Sequence, residues 1–312
     1  MTTPARLACA LALLPFTAFA SSERRFEIEQ KIVVPPQPGD VTVFIPVPHD
    51  DAWQKVSEVK LPDGATPGKD ALGNTFATVA VPAKGGELKL SFQVDRHERS
   101  VDLSKATGKA DSGSAAAWLK DDKLVKVDDR IRKIAAENTR GTVTPLDKAR
   151  ALYTYVLSTM KYQKTGDGWG NGSIVWACDA KYGNCTDFHA LLIGLLRAEG
   201  IPARFEIGRS VPPASGAVAG YHCWADFWID GAGWVPADAS EAWKHQEKKE
   251  YFFGHHDDDR FAISQGRDLK LPGMKGEPLN YFVDPYGELP DGARAQGIKQ
   301  TTSVAALQLS SR

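Results

Sequence analysis

The sequence predicts an α+β protein in which an N-terminal antiparallel β-sandwich precedes a unit of helices and a hairpin. Three observations lead there. Apolar residues alternate with period two as far as Val94; a small, polar, glycine-bearing stretch follows at 103–117; beyond it apolar residues recur at helical spacing before a last hairpin pattern. With 312 residues, 42% hydrophobic and 25% charged, the chain is long enough for two globular domains.

Residues 1–20, MTTPARLACALALLPFTAFA, hold one positive charge at Arg6, an apolar run from Leu7, and Ala18-Phe19-Ala20, the small-x-small pattern of a signal-peptidase site. A leader cleaved after Ala20 is expected, leaving a periplasmic or secreted chain. Pro15 and the shortness of the run argue against a membrane anchor, and no later segment is apolar enough to suggest a span. The net charge is −1 with no dense basic cluster, so nucleic acid is not an expected partner.

The sandwich is expected over 21–103. Phe26, Ile28, Ile32 and Val34 fall on one alternating face, as do Leu88, Leu90, Phe92 and Val94. Residues 41–48 (VTVFIPVP) and 74–82 (NTFATVAVP) give two more strands, separated by turn chemistry such as PDGATPG, DALGN and AKGGE. A linker is expected over 104–120, within LSKATGKADSGSAAA and just beyond it. The second domain then runs over 121–250. A helix is expected in TPLDKARALYTYVLSTM, with Thr144 as cap, Pro145 at the first helical position and Asp147 closing a capping box. A shorter one is expected around Val127, Ile131 and Ile134.

In KYGNCTDFHALLIGLLRAEGIPARFEIG, Phe188, Leu191, Leu192, Leu195 and Leu196 recur at three and four residues, and Gly200 with Pro202 ends the run. A helix between Asn184 and Glu199 follows, capped by Asn184 with Asp187 reaching back, so Cys185 occupies the first turn beside unpaired amides. That position eases ionisation of a thiol, which still needs a base. GYHCWADFWIDGAGWVPADAS reads as a hairpin with His222 on its first strand and Asp238 at the end of its second. A histidine held by a carboxylate is in the tautomer that takes a proton from a thiol.

These two blocks and their spacing resemble the transglutaminase-like superfamily, over about residues 125–245 as read from the motif pattern. The resemblance implies a papain-like core, a cysteine helix packed on an antiparallel sheet, with Cys185 as nucleophile, His222 as general base and Asp238 as orienting acid. It implies amide chemistry on a peptide or protein substrate of the cell envelope, without a cofactor. Thioester release by water, transfer to an amine and a non-catalytic binding module all remain open. The upstream strands and the tail over 251–312 resemble those of exported bacterial members.

Around that core, the Cys185 backbone amide is the expected oxyanion donor, with the indole of Trp176 or Trp169, or an amide of WGNGS, as the second. Trp224 and Asp226 share the strand face of His222 and are expected to line the cleft. His189 reads as a satisfied helix histidine, and Arg204, Arg209 and Arg267 as surface ion pairs rather than substrate contacts. His245 and the run 255–259 lack metal-ligand spacing, so no metal site is expected. With Cys9 lost and Cys185 required as a free thiol, Cys178 and Cys223 are left to form a disulfide; Cys178 to Cys185 is the rival pairing.

Overall fold

A computed structural model describes residues 23–109 and 113–308. The expected leader, with Cys9, lies outside the described residues. The chain opens with β1 (Glu23–Val34), β2 (Val41–Val47), β3 (Gln54–Lys60), β4 (Thr66–Lys69), β5 (Thr75–Val81), β6 (Gly86–His97) and the short β7 (Arg99–Ser100). Next come α1 (Asp129–Asn138), α2 (Pro145–Thr159), β8 (Lys161–Tyr162), α3 (Ile174–Ala180), β9 (Tyr182–Gly183) and α4 (Cys185–Ala198). After these follow β10 (Ala203–Ser210), β11 (Gly216–Ala217), β12 (Tyr221–Ile229), β13 (Gly233–Ala237) and α5 (Ala239–Lys244). The last strands are β14 (His255–His256), β15 (Arg260–Gln265), β16 (Tyr286–Glu288) and β17 (Lys299–Leu307).

The sandwich pairs a sheet ordered β11-β17-β1-β6-β3 with one ordered β16-β2-β5-β4. Opposing Phe26 to Val94 and Ile28 to Phe92 keeps the alternating apolar residues of β1 and β6 on one face. Those residues share a buried core with Val41, Val43, Ile45, Val79 and Val81 of the second sheet. The tail beyond residue 251 is built into both units: β15 joins the core sheet, while β16 and β17 join the two sheets of the sandwich. Within the expected linker, Trp118 packs edge-on against Trp234 of the core (6.2 Å).

The core sheet runs β13-β12-β10-β15, all antiparallel. One face receives α4, which also contacts α1, α2, α3 and α5. Every residue from Cys185 to Arg197 is buried, more than the one apolar face in the sequence implies, because this helix is covered on all sides. Its one interior arginine, Arg197, is satisfied by Asp122 (2.7 Å) and the Ala203 carbonyl (3.0 Å). The opposite face of the sheet meets the sandwich, where Phe261 packs on Phe26 and Phe92 and the Gln54 amide pairs in both directions with the Ala262 backbone. No helix among the described residues is long and apolar enough to cross a membrane.

Candidate active site

Local chemistry fixes where α4 begins. The Asn184 side chain accepts from the Thr186 amide (3.0 Å), and Asp187 accepts from the Asn184 amide (3.0 Å), the reciprocal capping box expected from the sequence. Asp187 also accepts from the amides of Gly170 (2.7 Å) and Gly172 (3.1 Å), binding the glycine-rich loop to the helix start. Glycine is required at 183 because any Cβ there would run into the Asp187 carboxylate. Cys185 therefore takes the first helical position, where its N–H has no acceptor within the helix, and its side chain is 2% exposed.

The hairpin brings the other two residues to it. The His222 ring hydrogen-bonds with the Cys185 thiol, and its Nε2 lies 2.6 Å from Asp238 Oδ2, which leaves Nδ1 to the sulfur. Asp238 has two further duties. Its Oδ1 accepts from the Glu241 amide (3.0 Å) and the Ser240 hydroxyl (2.9 Å), capping α5, while Oδ2 also accepts from Arg260 Nη1 (2.6 Å). The buried Arg260 is held in turn by Asp257 (2.8 Å) and lies over the Trp224 ring.

A second set of groups meets the thiol from below the sheet. Successive strand residues point to opposite faces, so Cys223 faces α4 while His222 lies on the other side. There Cys223 hydrogen-bonds with Cys185. Its sulfur also lies 3.6 Å from His189 Nδ1, and His189 Nε2 accepts from the Ala239 amide (3.1 Å). Burial pushes the His189 pKa down, so the ring is neutral, and with Nε2 accepting, its proton is on Nδ1, directed at Cys223. Burial pushes the Cys223 thiol well above its usual range, so it keeps its proton and donates to Cys185.

The electrostatics separate the two sulfurs. The Cys185 thiol lies well below its usual range: the hydrogen bond from Cys223, joined by the hydrogen bond and charge of His222, outweighs the burial. Burial disfavours a charged His222, yet the charge and hydrogen bond of Asp238, with Cys185 adding to them, raise its pKa to about 10. Burial likewise opposes the Asp238 carboxylate, and His222 and Arg260 hold it well below the carboxylate range. The depressed thiol and the raised imidazole favour a resting thiolate–imidazolium pair, with one carboxylate facing two cations.

Several sequence expectations require correction. The three described cysteines are free thiols, so neither the Cys178–Cys223 disulfide nor its rival forms; Cys223 is turned toward His189 and Cys185, and Cys178 sits in α3. Trp176 is not an oxyanion donor, because its indole N–H is spent on the Tyr182 carbonyl (3.1 Å). Asp226 does not line a cleft at the thiol: it is fully buried and accepts from Arg99 and Arg204, each at 3.0 Å. Trp224 is buried among His222, His256 and Arg260. Arg209 and Arg267 are buried rather than superficial, and Arg267 donates to the carbonyls of Asn171 and Gly172, both at 2.7 Å.

Residues 132–239 match the family model of the transglutaminase-like superfamily. The fold is that of a candidate cysteine protease from Cytophaga hutchinsonii, with a TM-score of 0.65 at 17% identity, covering 94% of this chain and 93% of the other. The periplasmic domain of TgpA from Pseudomonas aeruginosa, bound to ethylmercury, aligns with a TM-score of 0.39 and 17% identity over 73% of this chain and 94% of its own. An uncharacterized protein of Haemophilus influenzae is 24% identical over 299 residues, covering 80% of this chain and 81% of the relative.

Proposed function

We propose that this chain is an exported cysteine acyl-transfer enzyme that cleaves a peptide or glutamine amide through a thioester at Cys185. The observation that carries the reading is the unbroken run of contacts from the Cys185 sulfur through His222 to Asp238. The Cys185 thiolate adds to the amide carbonyl, and the oxyanion that develops is met by the Cys185 backbone N–H at the positive end of α4. Collapse expels the amine with the proton from His222, leaving a thioester. Water, deprotonated by the now neutral His222, then releases a carboxylic acid and restores the thiol, which returns its proton to the imidazole. Deep burial of Cys185 and His222 strengthens every charge interaction in this sequence. The substrate is read as a peptide or protein of the cell envelope, reached after loss of residues 1–20.

The test is to incubate the mature protein with a glutamine-containing peptide, with and without a fluorescent primary amine, and to resolve products by mass. Hydrolysis is expected: ammonia or peptide fragments form, the amine is not incorporated, and Cys185→Ala is inactive. Amine incorporation would reassign the enzyme as a transamidase. Absence of both products and of any Cys185 adduct with an activated ester would reduce it to a binding module. In the same assay Trp176→Phe is expected to leave turnover essentially unchanged, whereas deleting a true oxyanion donor costs about 10²–10³-fold; a loss of that size would return Trp176 to the site.

A further inference from the structure

The sheet face that bears His222 continues along β12 to Trp224 and Asp226 and across to Glu206 and Arg204 on β10, which pair with them in register. The sandwich covers this face with β3, β6 and β7. Between the two units lies a cavity of about 400 Å³, whose lining includes Trp53, Trp224, Trp234, Arg96, Arg204 and Glu206. That volume falls within the range of small-molecule sites, about 300–1,000 Å³.

Most charges along the cavity are matched. Asp226 receives Arg99 on both oxygens and Arg204 on one, and Arg204 also pairs with Glu206 (2.9 Å). Arg96 is different. It is 2% exposed and its Nη1 comes no closer to a carboxylate than 3.9 Å, at Asp51, while its Nε, like that of Arg99, has no hydrogen-bond partner among the described residues. Burial, together with the nearby charges of Arg260 and Arg99, lowers its pKa to about 10, so it is still cationic at neutral pH. A second buried group is equally unsatisfied: His256 is 0% exposed and neither ring nitrogen has a partner among the described residues, while its ring lies edge-on to Trp224 at 5.2 Å. A guanidinium removed from water without a full counter-charge is costly, and a planar anion is the group that satisfies its fork of donors.

We propose that this cavity is a binding site for a small monocarboxylate with an apolar or aromatic body, separate from the Cys185 centre. The carboxylate accepts from Arg96, and the body lies against Trp53 and Trp234. Asp51 lines the same space and repels a multiply charged anion, which favours a single carboxylate over phosphate.

The experiment uses the mature full-length protein, titrated with phenylacetate, with benzyl alcohol as the uncharged analogue and inorganic phosphate at matched ionic strength. Tryptophan fluorescence and the thermal midpoint are read together. Phenylacetate is expected to give a saturable fluorescence change and a midpoint that climbs with concentration, as for any ligand selective for the folded state; the other two compounds give neither. Arg96→Met is expected to weaken phenylacetate at least tenfold without lowering the ligand-free midpoint, since it removes an ill-matched buried charge. Trp53→Ala, at the cavity wall, weakens it as well and carries the test if Arg96→Met does not fold. The proposal is overturned if phenylacetate does not saturate, if phosphate or benzyl alcohol matches it, or if the folded variants bind like the parent.

Discussion

Asp238→Ala is expected to destabilise the protein by about 4 kcal/mol, the scale for removing one partner of a buried ion pair, with about 1 kcal/mol more for the lost cap of α5. One carboxylate oxygen faces both His222 and Arg260 at 2.6 Å, so its removal leaves two buried cations without their shared anion. Asp238→Asn keeps an oxygen for the Glu241 amide and so retains most of the cap, but not the charge. It should fold better than the alanine variant while losing on the order of 10³–10⁴-fold in turnover through misorientation of His222. Urea unfolding of both variants, beside their activities, checks the ordering. An alanine variant as stable as the parent would mean that Asp238 is not the counter-charge of this centre.

His222→Ala is expected to slow alkylation of Cys185 by iodoacetamide at pH 6 by about tenfold or more, because it removes the hydrogen bond and charge that, beside the hydrogen bond from Cys223, hold the thiolate against burial, and each pKa unit regained is tenfold in thiolate. In the parent the signs differ for the two partners. The depressed Cys185 pKa means that reactivity persists to acid pH and falls only as pH drops through that value. The raised His222 pKa means that the imidazolium is lost as pH rises through about 10. The proposed amide cleavage, which needs that proton for the leaving amine, should decline above about pH 10, whereas alkylation, which does not, should hold. Any stability that His222 draws from its charge is present in full below its unfolded pKa of about 6.5 and is lost on the same alkaline limb. Equal alkylation rates for parent and variant at pH 6 would remove His222 from the pair.

Much of this arrangement was legible in the sequence because it depends on local chemistry. The boxes at Thr144 and Asn184, the glycine before the cap and the hairpin all act within a few residues of themselves. Cys185, His222 and Asp238 come together in space because a helix start, a strand position and the residue just past the neighbouring strand leave little freedom. Other features lack such a local signal. Arg260 stands in a run of aspartates that reads as a solvated turn, and only the pairing of β15 at the far edge of the sheet brings it to Asp238. Alternation correctly turns Cys223 away from His222, but the face it turns to belongs to α4, where Cys185 and His189 wait rather than Cys178. The indole of Trp176 looked available until the carbonyl of Tyr182, six residues on, claimed it. Arg209 and Arg267 read as superficial because a single sequence does not reveal that Val283 and Asp284 of the tail receive the first and the Asn171–Gly172 carbonyls the second.

The pairing of β1 with β17 also bears on how the molecule comes into being. The first described strand takes as its neighbour one that emerges almost at the other end of the polypeptide, and β15, β16 and β17 all reach back to sheets begun much earlier. Closing so long a loop is slow and leaves the unfinished sheet with an open edge. A chain stopped before residue 299 would therefore lack the strand that pairs with β1, and this sheet of the sandwich would stay incomplete until residues 299–307 were made.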